Sequence, residues 1–244
     1  MFLQWLKFSM KSSTDIEYFK QNDRFYDPLR FTVEPNGFAT LDELFNARSI
    51  TFFSLLNSIK NASIFVFTLG LTERWVNVET GLEYASCPGV SCGEFDEKLH
   101  LHENLQFPRL LKSMEEVIEL LRNLNPKLNI ILTVSPVPLI ATFQKKHVLI
   151  ATMEAKSNLR SLAGYCSNNF DFIDYFPSFE MISSFPYRGA FFEPDLRTVS
   201  KVGVEYVMKI FFGGAQIDIS ETISTPINSN EVKCEEELIE SFRT

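Results

Sequence analysis

The residues able to do chemistry collect where two apolar runs stop. Ile64-Phe65-Val66-Phe67-Thr68-Leu69 gives way to Gly70-Leu71-Thr72-Glu73, and Ile130-Ile131-Leu132-Thr133-Val134 gives way to Ser135-Pro136-Val137-Pro138. Such runs read as buried parallel strands that deliver side chains to the carboxyl edge of a sheet. Open α/β sheets hold their ligands at that edge. Past the first run, Glu73 and Arg74 can pair or bind a polar substrate, while Trp75, Tyr84, Phe95 and Phe107 can line a pocket or pack in the core. Past the second run, His147 follows by a short loop and can project over the same edge. Imidazole is the natural general base near neutral pH; a surface histidine at a helix start is the other reading. Ser135 has no Gly-x-Ser-x-Gly elbow around it and reads as a turn residue. Cys87, Cys92, His100 and His102 are zinc-type ligands, but the closing His-x-His is not a zinc-finger spacing. No metal or cofactor is expected.

The elements that must carry these residues follow from periodicity. Residues 2–10 read as a short amphipathic helix and 11–38 as polar and irregular, with turn signals at Asp27-Pro28 and Glu34-Pro35-Asn36-Gly37. Thr40-x-x-Glu43 fits a capping box ahead of a helix. Strand 63–69 follows, then a long loop over 71–106, a length that is often functional. Pro108 opens a helix to about 124. Strand 129–134, helix 147–167, strand 170–175, a short helix 177–183, a loop 185–198 and helix 199–212 complete the pattern. Residues 213–244 read as a polar, acidic tail with one docked helix at 234–242.

Helices alternating with strands demand a parallel sheet covered by helices, an α/β class. Three strands make a narrow sheet with two open edges, a poor solution. Nothing in residues 1–38 supplies another apolar parallel strand. The fold is therefore expected to be N-terminally incomplete in this chain, lacking its first βα units.

Composition excludes several function classes. The 244 residues carry a net charge of −8 and no Lys/Arg cluster, which argues against nucleic acid. Four cysteines (Cys87, Cys92, Cys166, Cys234) do not form a disulfide framework. The apolar start, interrupted by Lys7, lacks a basic leader and a cleavage-like site, and no apolar run reaches the ~20 residues of a membrane span. A cytoplasmic location is expected; the oligomeric state is open.

Several segments, in order, resemble the GSCFA domain family. They are Asp27-Pro28-Leu29-Arg30, Val66 through Trp75, Cys87-Pro88-Gly89, Gly93-Glu94-Phe95-Asp96, Ile131 through Leu139, Lys156-Ser157-Asn158-Leu159-Arg160 and Tyr175 through Glu180. The resemblance runs over about residues 1–212. It implies a branch of the SGNH (GDSL-like) hydrolases, with a flavodoxin-like three-layer α/β/α sandwich and a parallel sheet. It also implies a nucleophilic serine in a Gly-Ser-Cys-Phe-Ala motif, which these 244 residues do not contain. Gly70 and Thr72 stand at the SGNH Gly-x-Asn block, where the glycine leaves room and the third side chain holds an oxyanion; Thr72 departs from Asn. Asp195-Leu196-Arg197-Thr198 stands at the Asp-x-x-His block, with Thr198 where the histidine belongs. Asp195 is then a catalytic candidate or a loop or cap residue.

Two functions follow as expectations. A complete form acts as an esterase or acyl-transfer enzyme on a glycan or lipid ester, with Gly70, Thr72, Glu73 and Trp75 facing substrate and His147 as the base candidate, while this chain is near-inactive. The alternative is a non-catalytic carbohydrate-binding protein or degenerate paralogue.

Overall fold

A computed structural model describes residues 1–11, 16–30 and 33–214. In chain order its elements are α1 (Phe2–Lys11), β1 (Phe19–Gln21), β2 (Arg24–Tyr26), α2 (Leu41–Asn61) and β3 (Ile64–Leu69). Then come β4 (Glu73–Asn77), β5 (Glu83–Tyr84), β6 (His100–Asn104), α3 (Phe107–Leu124) and β7 (Asn129–Val134). The series ends with α4 (Val148–Asn169), β8 (Ile173–Tyr175), α5 (Ser178–Ser183) and α6 (Lys201–Gly214). The tail reading from 215 onward, its helix at 234–242, and Cys234 lie outside the described residues. No helix among the described residues is long and apolar enough to cross a membrane.

Contacts divide the chain into two units. The first holds Met1–Phe65 and Thr72–Leu128. In it Thr40 caps α2 through a complete capping box: its side chain accepts from Glu43 N while the Glu43 carboxylate accepts from Thr40 N. Ile16, Leu29, Phe52, Leu82 and Tyr84 form one buried apolar cluster in it, flanked by Trp5, Phe8, Phe19 and Trp75.

Two expectations fail in this unit. Residues 11–38 are not wholly irregular, because β1 and β2 form a hairpin in which Gln21 faces Arg24 across Asn22-Asp23. Both turn residues adopt positive φ, 50° and 56°, as a two-residue hairpin loop demands. The stretch 71–106 is not a plain loop either: β4 lies between β5 and β6 in an antiparallel sheet. Its β4–β5 turn is closed by Asn77, whose Oδ1 accepts from Glu79 N and Thr80 N. Gly81 follows at φ 72°, where a side chain would be strained.

The second unit holds Val66–Leu71 and the described residues from Asn129 on. Its sheet has the order β3-β7-β8, the three strands the apolar runs indicate. β7 and β8 pair in parallel, Ile130 with Ile173 and Leu132 with Tyr175. α4 packs on β7 and β8, and α5 on β7. The class is α/β, a parallel sheet flanked by helices, in keeping with a three-layer α/β/α fold. The central strand carries the core: Ile130, Leu132 and Val134 are 2% exposed or less. β3 departs from the buried reading, with Ile64 and Val66 exposed. It is an edge strand, and the bulk of its apolar side chains made it look central. The third strand is shorter than 170–175, because Phe170 still caps the C-terminus of α4.

Candidate functional site

The carboxyl edge of the sheet is built around one lysine. The inner face of α4 buries Ala151, Thr152, Ala155, Lys156, Leu159, Leu162, Ala163 and Cys166, a helical stripe that includes a cation. Lys156 is 2% exposed, and its Nζ donates to the Gly70 carbonyl at 3.0 Å. The ammonium thus holds the backbone where the chain leaves β3. Beside it, Ser135 N donates to the Leu69 carbonyl at 2.9 Å, tying the end of β7 to the end of β3. Gly70 is half-buried, and a Cβ built there meets nothing within 4 Å, so space adjoins the turn.

The hydroxyls at this edge are engaged locally. Ser178 Oγ lies 2.5 Å from Thr133 Oγ1 and donates to the Val134 carbonyl at 3.1 Å. Ser135 Oγ accepts from Val137 N, which agrees with its reading as a turn residue. Where β8 ends, Arg160 stacks on the Tyr175 ring at 4.1 Å and donates to Glu180 at 2.5 Å. Tyr175 Oη donates to the other Glu180 oxygen at 2.7 Å. Burial, reinforced by that carboxylate, pushes the Tyr175 phenol upward, so it stays a neutral donor.

The two residues expected to carry acid–base chemistry make local bonds. His147 is exposed and caps α4, its Nδ1 accepting from Leu149 N at 3.3 Å. Asp195 is exposed and closes its own turn: Oδ1 accepts from Arg197 N and Thr198 N at 2.9 Å, and Oδ2 from the Thr198 hydroxyl at 2.5 Å. That hydroxyl and the two amides hold the Asp195 carboxyl below its ordinary range. The helix that follows starts instead at Ser200, whose Oγ accepts from Gly203 N.

The other candidates lie in the first unit. Thr72 is 1% exposed, and its hydroxyl donates to Asn104 Oδ1 at 2.6 Å. Glu73 Oε2 stands 2.9 Å from His102 Nε2, and both side chains are largely buried. Trp75 packs edge-on against His102 and Phe95. The Glu73 carboxylate orients the His102 imidazole. Arg74 pairs with Glu103 and Glu83. His100 is buried against Tyr84 and Phe95 and accepts from Asp96 N. Cys87 and Cys92 are free cysteines, and Cys166 is buried. Among the described residues no cluster of His, Cys, Asp or Glu is placed to hold a metal ion.

Sequence reasoning missed the partners: Lys156 for Gly70, Asn104 for Thr72, His102 for Glu73. For Lys156 a signal existed, a lysine in register with the apolar stripe of its helix. For the others there was none, because cross-strand pairing joins residues far apart in the chain.

No curated protein and no solved structure matches the chain. The model of the GSCFA family matches residues 1–211, from α1 into α6. The chain therefore belongs to the GSCFA family.

Proposed function

We propose that this is an SGNH-like ester-handling domain whose ligand sits at the carboxyl edge of β3-β7-β8. A form of the domain that carries the Gly-Ser-Cys-Phe-Ala segment would be an esterase or acyl-transfer enzyme on a glycan or lipid ester. The observation that carries the reading is the buried Lys156 Nζ donating to the Gly70 carbonyl. A preorganised Nζ–H donor beside an open turn stabilises negative charge developing on an acyl oxygen, and it needs no reorganisation to do so.

Turnover by these 244 residues is expected to be far below that of a complete serine-type unit. In serine-type units, removing the nucleophile costs about as much as removing the whole unit, on the order of 10⁴–10⁶ in kcat. The binding edge alone retains roughly 10³–10⁴ over water.

A second reading, a carbohydrate-binding protein without catalysis, draws support from the Asp195 turn. Thr198 stands where the family pattern wants a histidine, and its hydroxyl closes on Asp195. Calorimetric titration with an acetylated oligosaccharide and its deacetylated counterpart separates the readings, alongside turnover of an acyl nitrophenyl ester. Selective binding of the acetylated ligand, weakened by Lys156→Met, supports the ester reading. Equal binding of both sugars supports the carbohydrate reading. Binding of neither, with no ester turnover, removes both.

A further inference from the structure

The first turns of α4 are inverted. Leu149, Ile150 and Met153 are 64%, 60% and 63% exposed, while the small side chains of Ala151 and Ala155 face inward. The spacing of 149, 150 and 153 puts the three large side chains on one outward face. Phe143, 66% exposed, stands in the loop that leads into the helix. An amphipathic helix in a closed domain has the opposite distribution.

The charges around these side chains are positive, in a chain of net charge −8. Lys145 and Lys146 are exposed, and the positive end of the helix dipole lies at this same turn. Glu154 is the local acid, and it pairs with Lys146 at 2.5 Å. Lys145 therefore adds a cation beyond that pair.

From this juxtaposition we propose that the start of α4 docks on an anionic lipid surface. Leu149, Ile150, Met153 and Phe143 enter the boundary between headgroups and acyl chains, and Lys145 and Lys146 contact the headgroups. Apolar burial combined with cation–headgroup attraction is how interfacial elements bind without crossing a bilayer. A symmetric dimer through the same face fits worse, because an isologous contact sets the two lysine pairs against each other. The inference stands apart from the ester reading, since binding to a surface needs no turnover.

The test is co-sedimentation of the full chain with phosphatidylcholine vesicles, with and without phosphatidylserine. The chain is expected to pellet with the serine-containing vesicles and to be released by salt. The double variant Leu149→Ser, Ile150→Ser should weaken binding about tenfold or more. Lys145→Gln should weaken it about fivefold. Both changes are on exposed side chains, and an unchanged urea midpoint confirms that the variants fold. Three results would overturn the proposal: no pelleting of the wild-type chain with either vesicle, equal pelleting of the double variant, or loss of self-association in the double variant with no vesicle binding by either protein.

Discussion

Arg48 and Asp27 form a fully buried ion pair, with exposures of 0% and 2%. Arg48 Nη2 donates to Oδ1 at 3.0 Å and Nε to Oδ2 at 3.2 Å, a fork on a carboxylate. The same guanidinium donates to the Ile16 and Glu17 carbonyls, and Asp27 also accepts from Arg30 Nε and Leu29 N. The pair thus pins the chain ahead of β1 and the Asp27-Pro28 turn to the buried face of α2. Removing Arg48 leaves Asp27 with Arg30 as its cation, and removing the Asp27 charge leaves Arg48 facing backbone carbonyls, so breaking the pair costs up to about 3–5 kcal/mol. Arg48→Met and Asp27→Asn should each lower the urea midpoint strongly. The double variant should lose less than the two single losses added. Additive losses would show that the two residues act independently.

Lys156 presents a different balance, because its described acceptor is a backbone carbonyl. Lys156→Met keeps most of the volume and removes the donor. The Gly70 carbonyl then loses a partner at a half-buried turn, a penalty of about 1–3 kcal/mol. The expected result is a moderate fall in stability, with faster amide exchange at Ser135, whose N–H bonds the neighbouring Leu69 carbonyl. Unchanged exchange there would mean that the lysine does not hold the edge.

What could be read from the sequence alone follows the range of the forces involved. The parallel strands and long helices announce themselves through runs such as Ile130–Val134 and the apolar stripe of α4. The Thr40–Glu43 box is local and formed as its spacing indicates. Strands β4 and β6 stayed hidden because they are polar. Glu73, Arg74 and Asn77 face Asn104, Glu103 and His100, and their stability comes from pairs that no window along the chain contains. The β1–β2 hairpin stayed hidden because its turn is Asn-Asp rather than Asn-Gly. The candidate site divides the same way. Gly70, Thr72 and Glu73 were legible as the residues beyond a strand. Their partners stand 86, 32 and 29 residues away, and those partners determine what each can do.

Thr72 illustrates the point and can be tested. Its hydroxyl proton is held by Asn104 Oδ1 at 2.6 Å, inside a 1% exposed side chain. Thr72→Val keeps the shape and deletes that bond, at a cost of about 1–3 kcal/mol by the penalty for a buried polar group that loses its partner. Thr72→Ser should recover most of the loss. If the hydroxyl served a ligand instead, Thr72→Val would leave the denaturation midpoint unchanged and reduce only ligand binding.

The Asp195 turn carries a pH signature. Its carboxyl is held below the ordinary value by the Thr198 hydroxyl and by the Arg197 and Thr198 amides. A depressed folded value means that the turn is fully formed above the unfolded carboxyl range near pH 4 and is lost as pH falls through the lower folded value. Solvent surrounds the group, so the effect is local rather than global. The Thr198 amide resonance should be constant from neutral pH to about 4 and shift sharply below it. Asp195→Asn should abolish that titration and leave the thermal midpoint nearly unchanged. A Thr198 resonance that moves near neutral pH would instead point to coupling with a histidine, and would return Asp195 to the catalytic candidates.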